Sequence, residues 1–273
     1  MSLVAVQSAG SRAAYDRTQR HRYVQSRRSQ IVIEDARYKV RFAENTSEIV
    51  SALRLRHEVF HMELRGGLPT SAKNIDLDAY DLVSQHLIVI SKNTGETVGT
   101  YRLNSIEDEH SVSTLYSATE FTIKDLPTDV LRNGIEIGRA CIAREHRNTR
   151  VLFLLWKALL EHIEREGKRY YFGCCSIFSQ DEEIGRSAFQ QLVRNEAVHE
   201  RFNVQPRRNG INTGSRATAK AKIELPPLFN MYLRLGAKVC GPPMIDQEFG
   251  TIDFFVLFDV RDMNERYRRM FSK

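Results

Sequence analysis

The chain has 273 residues, of which 42% are hydrophobic and 27% charged, with a formal charge of +6. Such proportions describe a soluble globular protein, and no apolar run approaches the ~20 residues needed to cross a bilayer. The four cysteines, Cys141, Cys174, Cys175 and Cys240, lack C-x-x-C spacing, which implies neither a disulfide framework nor a metal centre. The positive excess suits an anionic partner: nucleic acid, anionic lipid or an acidic carrier protein.

Residues 1–29 carry Arg12, Arg17, Arg20, Arg22, Arg27 and Arg28 against one acid, Asp16. They read as a basic flexible arm ending near residue 35: an unstructured tail, an arm for anionic lipid, or a transit peptide. Residues 36–273 read as one domain. A strand is predicted at Tyr38–Phe42. Asn45, with Glu48 three residues on, then forms a capping box that opens a helix to about Leu64. Residues 65–85 are polar and read as a loop. His86–Ser91 and Thr97–Asn104 are strands joined through a Thr94-Gly95 turn. From Ile135 the apolar spacing changes from a strand pattern to helical spacing at Leu152, Leu155, Trp156, Leu159 and Ile163. Tyr170–Ile177 returns to strand character, which completes a β–α–β unit. A helix at Ile184–Val198, a long mobile basic loop at about 201–222 and a helix from Pro226-Pro227 to Gly236 follow. Thr251–Val260 is the last strand, and a short basic helix closes the chain. The pattern is α/β with a mixed sheet.

Several residue groups suggest chemistry. Arg144, Arg147 and Arg150 ring the start of the helix in the β–α–β unit. The first N–H groups of a helix point outward without intrahelical partners, so this turn suits a phosphate. His57-Glu58-Val59-Phe60-His61 fits H-E-x-x-H, the helical zinc pattern, but Leu64 stands where an extended motif requires glycine. A zinc-dependent hydrolase is therefore one alternative. Cys141 could be a nucleophile, although a free cysteine is more often a small buried hydrophobe. The basic stretches lack the interleaved aromatics of a nucleic-acid surface, which leaves a basic binding module as a further alternative and disfavours nucleic acid.

The ordered series LRLRHEVF (53–60), DLDAYD (76–81), HLIVI (86–90), VGTYRL (98–103), EIGRACI (136–142) and YYFGCCS (170–176) carries a resemblance. LPPLFNMYLRLGA (225–237) and DQEFGTIDFFVL (246–257) continue it. From about Glu48 to Phe271 the chain resembles the GNAT acyltransferases, and within them the ornithine-lipid synthase type of N-acyltransferase. Acyl-homoserine-lactone synthases and N-acyl amino acid synthases are relatives of that type. The resemblance implies a GNAT-like α/β fold, a central mixed β-sheet flanked by helices. It also implies transfer of a long-chain acyl group from acyl carrier protein, or CoA, to the amine of a small amino acid such as ornithine. The product would be an N-acyl amino acid or lyso-ornithine-lipid. An autoinducer synthase of the acyl-homoserine-lactone type is the nearest alternative. No metal or bound cofactor is expected. The protein would be cytoplasmic, with an anionic membrane surface as a possible partner at the inner face.

The attacking amine must lose a proton, and Glu136, at the start of the strand before the donor helix, is the candidate base, with Arg139 beside it. The resemblance places Arg56, Asp78, Asp81, Arg102 and Arg139 in an ion network shaping the acceptor pocket. Arg102 could grip the acceptor's carboxylate with a bidentate fork, and Phe60 falls on an aromatic position. Glu136 could instead pair structurally with Arg139 or Arg102. The donor turn is Arg144 with Arg147-Asn148-Thr149-Arg150-Val151. It lacks the glycines that wrap a CoA pyrophosphate, and so suits the single phosphate of a carrier's phosphopantetheine arm.

Overall fold

The computed structural model describes residues 31–64, 74–106, 110–214 and 222–271. In chain order it forms β1 (Val32–Glu34), β2 (Tyr38–Phe42), α1 (Thr46–His57), β3 (Gln85–Ser91) and β4 (Thr97–Ser105). Two short helices follow, α2 (Ser117–Glu120) and α3 (Thr128–Arg132), then β5 (Gly134–Ile142), α4 (Thr149–Arg165), β6 (Tyr170–Ile177) and α5 (Glu182–Arg194). The chain ends with α6 (Pro227–Leu235), β7 (Lys238–Val239), β8 (Met244–Asp246), β9 (Thr251–Asp259) and α7 (Glu265–Phe271). It divides into two compact units, Met1–Asn104 with Arg139–Glu166, and Ser105–Gly138 with Gly167–Lys273.

In the first unit β1 to β4 pair antiparallel in sequence order. The hairpin turn is as the sequence predicts: Gly95 takes φ +73°, and its N–H donates to the Ser91 carbonyl at 2.8 Å. Most of the expected N-terminal arm lies outside the described residues, but Val32–Glu34 at its end is a strand, with Ile33 opposite Val40. Helix α4 packs on this sheet through Val151, Leu154, Leu155, Ala158, Leu159 and Ile163, an apolar face at helical spacing. Gly99 makes room for it, because a Cβ there would lie 3.1 Å from the Val89 side chain and 3.5 Å from Val151.

Helix α1 starts at the predicted cap, with Asn45 Oδ1 accepting from Glu48 N–H at 3.0 Å. The return bond of the capping box goes one residue earlier than expected. Glu48 Oε2 accepts from Glu44 N–H at 2.7 Å, while Arg41 grips the same carboxylate. The helix runs on as predicted but changes pitch, and Glu58–Glu63 is a π-helical turn.

The second unit holds the mixed sheet. The first residues of β5 lie parallel to β6, with Gly134 opposite Tyr170 and Glu136 opposite Phe172. β6 pairs antiparallel with β9 along its whole length, and β9 also pairs with β7 and β8. Phe121, Phe172, Phe255, Leu257, Leu115 and Ile123 fill the core on one face. Helix α6 begins at the Pro226-Pro227 pair and stops at Gly236, which takes φ +114°, as predicted. The expected mobile loop is otherwise. From Arg201 to Gly214 it is tied down by backbone bonds: Thr122 N–H to Gln205 O, Arg207 N–H to Glu120 O, Ile211 N–H to Pro243 O and Ile245 N–H to Asn209 O, at 2.8–3.0 Å. Residues 215–221 lie outside the described residues.

Gly173 is a further constraint in this unit, since a Cβ there would sit 2.2 Å from the Ile137 carbonyl oxygen. Backbone cannot retreat as a flexible side chain can. Gly173→Ala is therefore expected to destabilise the protein by about 1–3 kcal/mol, read as a lower urea midpoint at unchanged slope.

Candidate active site

The predicted charge network forms within the first unit. Arg56, fully buried on α1, donates to Asp76 Oδ2 at 2.7 Å and to both oxygens of Asp81 at 2.6 and 3.2 Å. Arg102 on β4 donates to Asp78 at 2.6 and 2.7 Å and to Asp81 at 3.2 Å. Arg139 on β5 donates to Asp78 Oδ2 at 2.9 Å. Asp78 and Asp81 are fixed from the backbone side as well. Asp78 Oδ1 accepts from the N–H groups of Tyr80 and Asp81, and Asp81 Oδ2 accepts from Asp78 N–H. Burial would push the Asp81 carboxyl up, but the Arg56 and Arg102 guanidiniums outweigh it and hold the group down at about 2. Asp76 and Asp78 are lowered in the same way.

Three arginines thus meet three aspartates, and Asp76 is the member the sequence reading omitted. Its place in DLDAYD, two residues before Asp78, was the available signal. Arg102 is committed to Asp78 and Asp81 and lies under the Tyr80 ring at 5.6 Å, rather than presenting a free fork to an acceptor. Arg139 takes φ +48°, in the left-handed region, a costly conformation for a residue with a side chain. Phe60 packs with Leu55, Val59 and Cys141. Burial pushes the Cys141 thiol up to about 12, which does not suit a nucleophile. In the H-E-x-x-H segment the His57 and His61 rings stack at 5.2 Å, and His61 Nε2 lies 3.4 Å from Asp76. Among the described residues no group of three or more His, Cys, Asp or Glu is placed to hold a metal, so the hydrolase reading has no support.

The basic turn is also in the first unit, and it is closed rather than open. Asn148 Oδ1 accepts from the N–H groups of Arg150 and Val151, both at 3.0 Å, so two of the N–H groups expected to face outward are already capped. Arg147 donates to the Ile142 carbonyl at 2.9 Å and pairs with Glu63, whose carboxyl is lowered by that contact and by Arg144. Arg150 pairs with Asp35 at 2.5 Å. An N-cap is worth about 1 kcal/mol and an exposed ion pair about 0–1 kcal/mol. These partners are therefore exchangeable at small cost.

Glu136 belongs to the second unit. Its Oε1 accepts from Ser117 N–H at 2.7 Å and its Oε2 from Tyr116 N–H at 3.0 Å. Both bonds come from the backbone at the start of α2. Around it lie residues the sequence reading missed. The Tyr116 hydroxyl donates to Asp246 Oδ2 at 3.0 Å, and Asp246 Oδ1 accepts from the N–H groups of Glu248 and Phe249. Asp253 accepts from the Thr251 hydroxyl at 2.8 Å. Burial raises Asp253 to about 6, and it also raises Glu120. A single acid in the apolar run Ile252–Phe258 was the signal for Asp253.

Residues 55–157 match the model of the acetyltransferase (GNAT) domain. The protein is an acyltransferase with the GNAT-like α/β fold. Over 253 residues it is 30% identical to the L-ornithine N(alpha)-acyltransferase of Agrobacterium fabrum, covering 84% of this chain and 83% of that one. The enzyme of the same name from Rhizobium meliloti is 29% identical over 246 residues, covering 85% and 83%. The chain belongs to the L-ornithine N(alpha)-acyltransferase family. Among solved structures, the CoA-dependent acyl-homoserine lactone synthase BjaI gives a TM-score of 0.48 at 13% identity, covering 83% of this chain and 81% of that one.

Two stability predictions arise from this chemistry. Because Asp81 is depressed, its contribution is present above the ordinary aspartate range and is lost as pH falls toward 2. Asp81→Asn should cost about 3–5 kcal/mol at pH 7, by stranding buried guanidinium charge, whereas Arg150→Ala should cost under about 1 kcal/mol. Urea melts at pH 7 and pH 3 read both differences, and the first should shrink in acid. Asp253 has the opposite sign. Raised to about 6 from 3.8, it favours the folded state only while protonated, so that contribution is lost as pH rises through 6. Asp253→Asn should stabilise the protein by up to about 3 kcal/mol at pH 8 and by nothing at pH 4, read by thermal melts at the two values.

Proposed function

We propose that the protein transfers a long-chain acyl group from acyl carrier protein to the α-amine of ornithine or a closely related amino acid, giving a lyso-ornithine-lipid. Membership of the ornithine N-acyltransferase family is the observation that carries this reading. The local chemistry supports it. An α-amine has a pKa of about 8, so a carboxylate or a water held by one must take its proton as it attacks the thioester. Glu136 fills that role, with two backbone N–H groups fixing its direction. The ion network of Arg56, Asp76, Asp78, Asp81, Arg102 and Arg139 is a charge-balanced cluster within the first unit. Phe60 packs against Leu55, Val59 and Cys141.

The donor turn favours a carrier protein over CoA. Arg144, Arg147, Asn148, Arg150 and Val151 offer positive charge and helix N–H groups once the cap and ion pairs yield, and these suit one phosphate on an acidic partner. Without glycine, the turn gives a pyrophosphate less room to approach the backbone. Among the described residues no helix is long and apolar enough to cross a membrane. An amphiphilic product and the arginines of α7 support work at a cytoplasmic membrane surface.

Mass spectrometry of lipid extracts from cells expressing the wild type or Glu136→Gln tests the reaction. The wild type should give an alkali-stable, amide-linked acyl amino acid. Glu136→Gln, folded, should give at most a few per cent of it, a loss in the ~10²–10⁴ range for general acid–base catalysis. Equal product from both would remove Glu136 as the base, and no product from soluble wild type would overturn the reaction.

A further inference from the structure

The second unit holds more buried carboxylate than one proton transfer needs. Strand register gathers it on one face of the sheet. Asp253 stands opposite Ser176 on β6 and Met244 on β8, Asp246 stands opposite Thr251, and Glu136 stands opposite Phe172. Glu120 is the last residue of helix α2. The charges of Asp253, Glu136 and Glu120 all bear on the Cys174 thiol, which marks them as neighbours. Glu120, Glu136, Asp246 and Asp253 are each no more than 6% exposed.

Among the described residues, the cationic partner of Glu120 is Arg208, whose side chain is 66% exposed and lies 3.6 Å from Oε1, and the Thr119 hydroxyl donates to the same oxygen at 3.2 Å. The other oxygen, Glu120 Oε2, is buried and has no hydrogen-bond partner among the described residues, although the residue is 95% buried. A buried carboxylate oxygen left unsatisfied is costly, and a native structure that keeps one calls for an explanation. Asp246 also raises the Glu120 carboxyl, so the group lacks positive charge rather than negative.

We propose that Glu120, Asp246 and Asp253 form a subsite for the side-chain ammonium of a diamino-acid acceptor, selecting ornithine over neutral amino acids of the same length. This rests on the N-acyltransferase reading above. An ammonium has three N–H donors and no acceptor, which suits a cluster of buried carboxylates. Tyr116 links the subsite to the reacting end. Its N–H holds Glu136, which deprotonates the α-amine, and its hydroxyl holds Asp246.

The test compares ornithine with norvaline, which has the same carbon chain and no side-chain amine, for wild type and the near-isosteric Glu120→Gln. Acyl carrier protein loaded with a long-chain acyl group is the donor. Glu120→Gln should lower kcat/KM for ornithine by roughly 30-fold or more, as expected when one partner of a buried charge pair is removed. It should leave norvaline within about 2-fold, a change too small to reflect a lost buried contact. An equal fall for both acceptors, or a wild type that uses norvaline as well as ornithine, would overturn the subsite. Thermal melts of the full chain with each amino acid separate this from the reaction itself. If wild type acylates neither acceptor, the function reading fails. The subsite then stands if ornithine but not norvaline raises Tm and Glu120→Gln abolishes the rise, and it falls if ornithine gives no rise.

Discussion

Arg56 is the residue around which the first unit is built. A guanidinium with no exposed surface is tolerable only with full pairing, and Asp76 and Asp81 provide it from the loop after α1. Those carboxylates, with Asp78, then draw in Arg102 from β4 and Arg139 from β5. Helix, loop and two strands are fixed by one set of charges. A hydrophobic core would hold the same elements together without fixing their register so closely, because dispersion contacts are non-directional. The left-handed backbone at Arg139 is a local cost that this pairing offsets.

The second unit handles charge in the opposite way. In the first, three arginines balance three aspartates, and those three carboxyls are driven toward their ionised form. In the second, Glu120 and Asp253 are driven toward protonation, because burial there is not compensated by cations. Stability alone would favour neutral side chains at those positions. Carboxylates that weaken the fold at neutral pH fit a place where a charged substrate completes the pairing, the familiar tension between stability and activity.

The basic turn before α4 lies between these extremes. Its helix N-terminus is capped by Asn148, and its arginines are engaged by Glu63 and Asp35 on the exposed surface. Weak, solvent-screened partners of this kind keep the turn ordered while leaving it exchangeable. A turn held by buried pairs would be stiffer and less able to accept a phosphate.

Much of the architecture was legible in the sequence because it is local. Alternation marked Tyr170–Ile177, helical spacing marked the face of α4, and proline and glycine set both ends of α6. The members of the ion network, apart from Asp76, were named through the resemblance, as charges on its motif positions. Through-space pairing was not readable. Nothing in the periodicity around Glu136 indicates that backbone N–H groups twenty residues earlier will hold it, nor that Arg201–Gly214 will be pinned to α2 and β8. Asp246, Asp253 and Glu120 come together only through the register of β6, β8 and β9 and the placement of α2. The sequence by itself determined the elements, the family and the residue types available for chemistry. Tertiary structure alone decided which charges were neutralised and which were left wanting a partner, because burial and pairing depend on distances that chain position does not encode.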